Sequence, residues 1–234
     1  MRSPRRTALA LVLATATVLT GTSCAALDID LSPVTPKPAA QHDPLTPVDA
    51  RDALADLETL AVKGRAPKTG YSRSQFGRAW TDDVDVEGGG NSCSTRDDLL
   101  AIQLSNVQLR PGTCVVVAGT LDDPYSGDTI EYRRGRGSLV DLDHVVALGD
   151  AWQKGAQQLT LRERTNLAND PINLLAVSAS ENRRKKDSDT ASWIPPNKTF
   201  RCQYVSMQIA VKKRYRLWVT KAEKAAMTNI LNRC

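Results

Sequence analysis

Histidine is scarce in this chain of 234 residues: His42 lies in a Pro-rich stretch, and His144 follows Asp143 at the end of an apolar run, SLVDLDHVVAL. Imidazole is the side chain whose unperturbed proton equilibrium falls near neutrality, so a neutral-pH base in this chain is nearly forced to be His144. Asp143 is a hard oxygen donor suited to Mg²⁺ or Mn²⁺. Two further segments carry polar groups of the right type: Asn173 in NDPINLLAV, and Asn182 in SASENRRKKD, with Arg183, Arg184, Lys185 and Lys186 directly after it. Hydrolysis of a phosphodiester needs a base for water, a cation for the charge on the phosphate, and fixed positioning. Taken singly the signals are weak, since Asp-His can be a turn pair, Asn173 a structural hydrogen-bonder and Asn182 a polar first-turn residue. Successive strand residues also point to opposite faces, so Asp143 and His144 share a site only if the strand ends or bulges there. No P-loop, GxSxG or Cys-His nucleophile pattern competes.

The elements that must position these residues are legible in part. VDARDALADLETLAVKG has helical spacing, with Thr46-Pro47 before it as cap and first turn and Gly64 as its stop. Residues 64–92 read as irregular and end in EGGGNS, and a short helix follows from Thr95 to Ser105. Residues 114–118, 129–132 and 138–146 are β-rich, the first two separated by the turn chemistry of DDPYSGD. Helical signals then lead to a capping box, Thr160 with Glu163, and to a strand at 173–177. Two more boxes, Ser178 with Glu181 and Thr220 with Glu223, open later helices. Tyr204, Met207, Gln208, Val211 and Tyr215 recur at helical spacing, so the chain is expected to end in a helical hairpin.

Compartment follows from the first residues. Arg2, Arg5 and Arg6 precede the apolar stretch from Thr7 to Leu19, and small residues run to Ala26, the layout of a secretory signal peptide over 1–26 and too short for a membrane span. A lipid anchor at Cys24 is the rival reading. Residues 27–47, with Pro33, Pro36, Pro38, Pro44 and Pro47, read as a tether, leaving 48–234 as one domain with its core over 114–190, expected to be a monomer. Four cysteines remain beyond Cys24. Zinc is discounted for want of a CxxC pair, and of three possible pairings sequence neighbourhood favours Cys93–Cys114 and Cys202–Cys234.

The net charge of +5 hides an asymmetry: residues 27–182 hold 15 Lys and Arg against 23 Asp and Glu, whereas 183–233 hold 13 against 3. A basic final quarter suits a polyanion, with Lys212, Lys213 and Arg214 as candidate contacts, or it is only a solvated helix surface. The four tryptophans could stack on bases but are better explained as core.

The stretches DHVVALGDAWQKGA, ANDPINLLAV, ENRRKKD and WIPPNK resemble the HNH endonuclease family of secreted proteins, related to the C-terminal domain of some modification-dependent restriction enzymes. The resemblance extends upstream through GYSRSQFGRAW, CSTRDD and GTLDDPYSG, and covers most of residues 64–234. It implies an α+β fold with a ββα-metal (His-Me finger) core, helical insertions and a disulfide-tied C-terminal hairpin. It implies His144 as general base, Asn173 as the residue bracing the His-bearing loop, and Asp143 and Asn182 as ligands of a divalent cation. Arg183, Lys185 and Lys186 would then contact phosphates of a nucleic-acid substrate, DNA favoured. Lys186 departs from the pattern, which usually has a small residue there, often Gly. The alternative is a secreted module of this fold that binds nucleic acid or acidic cell-wall polymers without cutting.

Overall fold

The computed structural model describes residues 49–135 and 137–234. The signal peptide, the tether, Cys24 and the Thr46-Pro47 cap lie outside the described residues. The first helix, α1 (Ala50–Thr59), is instead capped by Asp49, whose carboxylate accepts from the Arg51 amide, and it ends at Leu60 rather than Gly64. Next come α2 (Thr95–Gln103), β1 (Ser105–Leu109), β2 (Val116–Asp122) and β3 (Thr129–Arg133). These strands form an antiparallel sheet in the order β1-β2-β3. Helix α2 forms where expected, ending two residues short of Ser105, and strand β1 was not foreseen; it is an exposed edge with irregular register against β2, and SNVQL carries no clear two-residue alternation.

A second, two-stranded sheet carries the residues singled out above. Strands β4 (Val140–His144) and β5 (Leu174–Ser178) pair antiparallel from Val140↔Ser178 to His144↔Leu174 without a bulge. Between them run α3 (Leu148–Gln153) and α4 (Leu161–Asn169), and α5 (Ala179–Lys185) follows β5 directly. The fold is therefore α+β, with a strand–insertion–strand–helix unit at its centre. The chain closes with α6 (Arg201–Arg214) and α7 (Lys221–Leu231).

Alternation divides the second sheet between two cores. Val140, Leu142, Leu174 and Ala176 pack with Leu99 and Leu100 of α2 and with Val116, Leu121 and Tyr132 of the first sheet. Leu175 and Val177 pack on the other side with α1, α6 and α7 through Leu57, Val205, Ile209 and Met227. β5 is thus buried on both faces, which is why it reads as a continuous apolar run.

The capping boxes of Thr160 with Glu163 and Thr220 with Glu223 form as expected. The box expected at Ser178 does not: its hydroxyl meets Ser180, Glu181 pairs with Arg184, and the Ser178 amide donates to Asp123 of the β2–β3 turn. Long-range anchoring replaces the local cap.

Cys93 is bonded to Cys114 and Cys202 to Cys234, with Cα separations of 5.8 and 6.0 Å. The second bridge ties the start of α6 to the residue that ends the chain after α7. By chain entropy a loop of this length is worth about 3–4 kcal/mol. Replacing Cys202 and Cys234 by Ser is therefore expected to lower the unfolding free energy by about 3 kcal/mol; an unchanged denaturation midpoint would show that the hairpin holds without it.

Candidate active site

His144 closes β4 with its ring on the face opposite to Asp143. The regular register fixes this arrangement, so neither a bulge nor a turn brings the two side chains to one face. The ring is buried, at 7% exposure, and its Nε2 lies 2.9 Å from the Ala168 carbonyl at the end of α4. A carbonyl only accepts, so Nε2 carries the proton and Nδ1 keeps the lone pair. Burial pushes the imidazole down to about 3, against the Ala168 bond, with Arg73 and Lys185 adding to the fall. The ring is therefore neutral at physiological pH.

That depression makes a stability prediction. The unfolded state takes up a proton near pH 6.5 that the folded state refuses until about pH 3, so folding weakens as pH falls through that window. His144→Gln should flatten that part of the stability–pH curve. Parallel curves for parent and variant between pH 6 and 4 would mean that the ring is not buried neutral.

Asn173 is fully buried and holds the loop behind the histidine. Its Oδ1 accepts from the Val146 amide at 2.8 Å, its Nδ2 donates to the Leu167 carbonyl at 3.1 Å, and its own carbonyl accepts from Val145. It ties the segment after β4 to α4, which supplies the Ala168 carbonyl.

Asp143 faces α5 and is 6% exposed. Its carboxylate receives the Tyr125 hydroxyl at 2.6 Å and the Lys185 ammonium at 2.8 and 3.0 Å. Lys185 is wholly buried and also donates to the His144 carbonyl at 2.8 Å. It therefore stands beneath the site, not among the surface cations Arg183 and Lys186 with which its sequence neighbourhood grouped it. Tyr125 keeps its proton, because burial and the neighbouring Asp143 charge push the phenol far up. Sequence reasoning missed this residue, although it sits inside the stretch GTLDDPYSG.

Asn182 is half-buried on α5, with Nδ2 3.4 Å from an Asp141 carboxylate oxygen. Asp141 and Asp143 are two apart on β4 and so share the face that α5 covers. That spacing was visible in VDLDH, yet Asp141 was overlooked. Among the described residues there is no group of three or more His, Cys, Asp or Glu arranged to hold a metal. The oxygen set of Asp141, Asp143 and Asn182 nevertheless fits a hard cation in kind. Lys185 neutralises Asp143 in its absence.

Lys186 ends α5 at φ +54°, the left-handed region that favours glycine. This is the physical reason a small residue suits the position where this chain departs from the family pattern.

On its open side His144 lines a cavity of about 360 Å³ with Arg73, Phe76, Ala79, Trp80, Leu148 and Asn169. The Trp80 and His144 rings are nearly parallel, 13° apart with centroids 6.0 Å apart. The wall comes from the turn Arg73–Phe76, which Arg164 of α4 holds through the Gln75 carbonyl at 2.6 Å. Gly77 then reverses the chain at φ +77°, with the Thr165 side chain where a Cβ would stand. The irregular reading of residues 64–92 was right in form and silent about this wall.

Residues 94–230 match the family described as GmrSD restriction endonucleases, C-terminal domain. The chain belongs to this family. The match spans β4, β5 and α5 together with α6 and α7, so the whole strand–insertion–strand–helix unit lies inside the GmrSD C-terminal domain, an HNH-type nuclease family. The chain is also 38% identical over 199 residues to an uncharacterized secreted protein of Arthroderma benhamiae, covering 84% of this chain and 92% of that one. No solved structure matches. Because the fungal alignment is longer than the family match, similarity to that protein extends beyond the nuclease-family residues.

Proposed function

We propose that this GmrSD-family chain is an exported, metal-dependent phosphodiesterase that hydrolyses nucleic acid, DNA favoured, with His144 as general base. The observation that carries the reading is an imidazole kept neutral by burial, with its Nε2–H held by the Ala168 carbonyl and its ring lining a cavity that Arg73 edges. A water molecule there gives a proton to Nδ1 while its oxygen attacks phosphorus. The bond from phosphorus to the departing sugar oxygen breaks, and that oxygen takes a proton from solvent. Asp143 and Asn182, with Asp141 beside them, would hold Mg²⁺ or Mn²⁺ on the α5 face. Because His144 is the last residue of β4, a phosphate at the strand's end is the group that both faces could reach, and there the cation would supply charge neutralisation for the phosphate and the departing oxygen. Arg183 and Lys186, exposed at the end of α5, would meet flanking phosphates.

Export is supported by the two disulfides and by the fungal relative, which is described as secreted. No described helix is long and apolar enough to cross a membrane. The test of the whole reading is digestion of plasmid with and without a chelator. Conversion to nicked or linear products, abolished by EDTA and restored by excess Mg²⁺ or Mn²⁺, is expected. Purified protein that leaves plasmid and single-stranded DNA and RNA intact at every cation tested would refute it and leave the non-cutting module as the better reading.

A further inference from the structure

The basic final quarter is not where the free cations of this molecule face the His144 cavity. Lys212 is fully buried on Asp150 and Glu223, while Lys213, Arg214, Arg216 and Lys224 sit on Asp56, Asp170, Glu163 and Glu58. Of the candidate phosphate contacts in α6, then, none is without a carboxylate. Arg73 and Arg78 are different. Both are exposed, and neither has a carboxylate partner among the described residues. Arg73 lines the cavity itself, Arg78 borders the adjoining groove beside Trp80, and the Arg96 guanidinium lies 6.0 Å from the centre of the Trp80 ring.

Trp80 is the second observation. Trp152 and Trp218 are buried, Trp193 packs edge-on among Tyr125 and Tyr204, and Trp80 packs in part against the core of Leu99, Leu100 and Leu142 while keeping a face to open space. Trp80 is half-exposed, lines two adjoining cavities, and stands at φ +56°, a backbone conformation that a bulky residue rarely adopts. Such an outlier persists only where the surroundings hold it, here through the Gly77 reversal and the turn clamped by Arg164, and it marks sites where geometry serves binding.

The cavity has an apolar body, from Phe76, Ala79, Trp80 and Leu148, with one cation, Arg73, on its rim. The neighbouring groove sets Arg78 beside Asp82 and Asp83, whose carboxylates are engaged by the Asn91 and Ser92 amides and by Arg162. An apolar body with a cation on its rim suits a ligand with one flat apolar part and one anionic part, which is the make-up of a nucleotide. A base held in a duplex is stacked on both faces and cannot present itself to an indole in a recess. Unpaired strands, by contrast, are gripped by combining cationic side chains on phosphates with aromatic rings under bases.

We propose that Arg73, Arg78, Arg96 and Trp80 form the binding site for an unpaired stretch of the strand being cut, with phosphates on the arginines and one nucleobase against the Trp80 indole in the His144 cavity. The proposal rests on the reading of His144 as the nuclease base, and adds to it a substrate preference: single-stranded or locally opened nucleic acid over intact duplex.

The test measures binding in EDTA, where the strand is not cut, by fluorescence anisotropy of a labelled single-stranded oligonucleotide of about twelve nucleotides, within the usual range of single-strand sites. The duplex of the same sequence serves as competitor. The single strand is expected to bind at least about ten-fold more tightly than the duplex, and Trp80→Ala to weaken it about ten-fold through lost stacking. Trp80→Tyr should recover most of that loss. The Arg73→Ala/Arg78→Ala pair should weaken binding and reduce the slope of log affinity against log salt by about 1.4, as expected for two lost contacts to single-strand phosphates. Lys198→Ala, an exposed cation away from the cavity, should bind as the parent does. Thermal unfolding confirms that each variant is folded, and if Trp80→Ala is not, Trp80→Leu against Trp80→Tyr makes the same comparison with the space filled. The proposal is overturned if the duplex binds as tightly as the single strand, if the cavity variants bind like the parent, or if Lys198→Ala loses as much. Binding without any cleavage would sink the nuclease reading and leave this site standing. Cleavage with unaltered binding in the variants would do the reverse.

Discussion

His144→Ala is expected to cut turnover by at least about 10²-fold, the usual contribution of a positioned general base, while leaving binding of an uncut strand in place. The size of the effect follows from the absence of a substitute: no other histidine lies among the described residues, and the nearest carboxylate in sequence, Asp143, is on the opposite face and committed to Tyr125 and Lys185. The loss should appear in kcat with little change in KM, because the ring lines the cavity but makes no charge contact with a bound phosphate. Addition of free imidazole to the alanine variant offers a second readout, since the vacated cavity connects to solvent. Cleavage within a few-fold of the parent would remove His144 from the mechanism, whatever the metal requirement proves to be.

Lys185→Met is the second large effect, and it acts on stability. The ammonium is wholly buried against the Asp143 carboxylate, and removing one partner of such a pair leaves an uncompensated charge, which costs about 3–5 kcal/mol. A melting point lower by roughly 6–20 °C is expected in EDTA. If Asp143 is a cation ligand, Mg²⁺ or Mn²⁺ should recover part of that loss in Lys185→Met by binding the folded state alone. The double variant Asp143→Asn/Lys185→Met should recover it without any cation, since the buried charge is then gone. A variant that melts with the parent would show that the pair is not formed. One that melts low and ignores divalent cations would remove Asp143 from the ligand set.

The corrections among the candidate site residues share a cause. DHVVAL named Asp143 and His144 together as parts of one site, on the condition that the strand ends or bulges there; it ends at His144 but does not bulge. Regular pairing with β5 instead sends them to opposite faces, where one meets α5 and the other meets α4 and the Arg73–Phe76 turn. ENRRKKD likewise grouped four cations, but α5 turns Lys185 inward and leaves Arg183 and Lys186 outside, because residues one and two apart on a helix do not share a face. The same holds for KKR in α6, where Lys212 lies at the centre of a buried network with Asp150 and Glu223 while Lys213 stays at the surface.

What the sequence determined by itself was local or scarce. The boxes at Thr160 and Thr220 close within one helical turn, the strand runs expected at 129–132 and 173–177 carry their own β-propensity and form within one residue of those bounds, and a single histidine outside the Pro-rich stretch left one choice of base. The two bridges join cysteines 21 and 32 residues apart, near enough for neighbourhood to favour the right pairing. Tertiary structure alone decided the rest: that Ser178 is anchored by Asp123 from 55 residues away, that Lys185 answers Asp143 across 42, and that the wall of the His144 cavity is built by a segment more than 60 residues upstream with no periodicity of its own. Which way a polar side chain points in this molecule is set by the partner that desolvation obliges it to find, and that partner is distant in sequence.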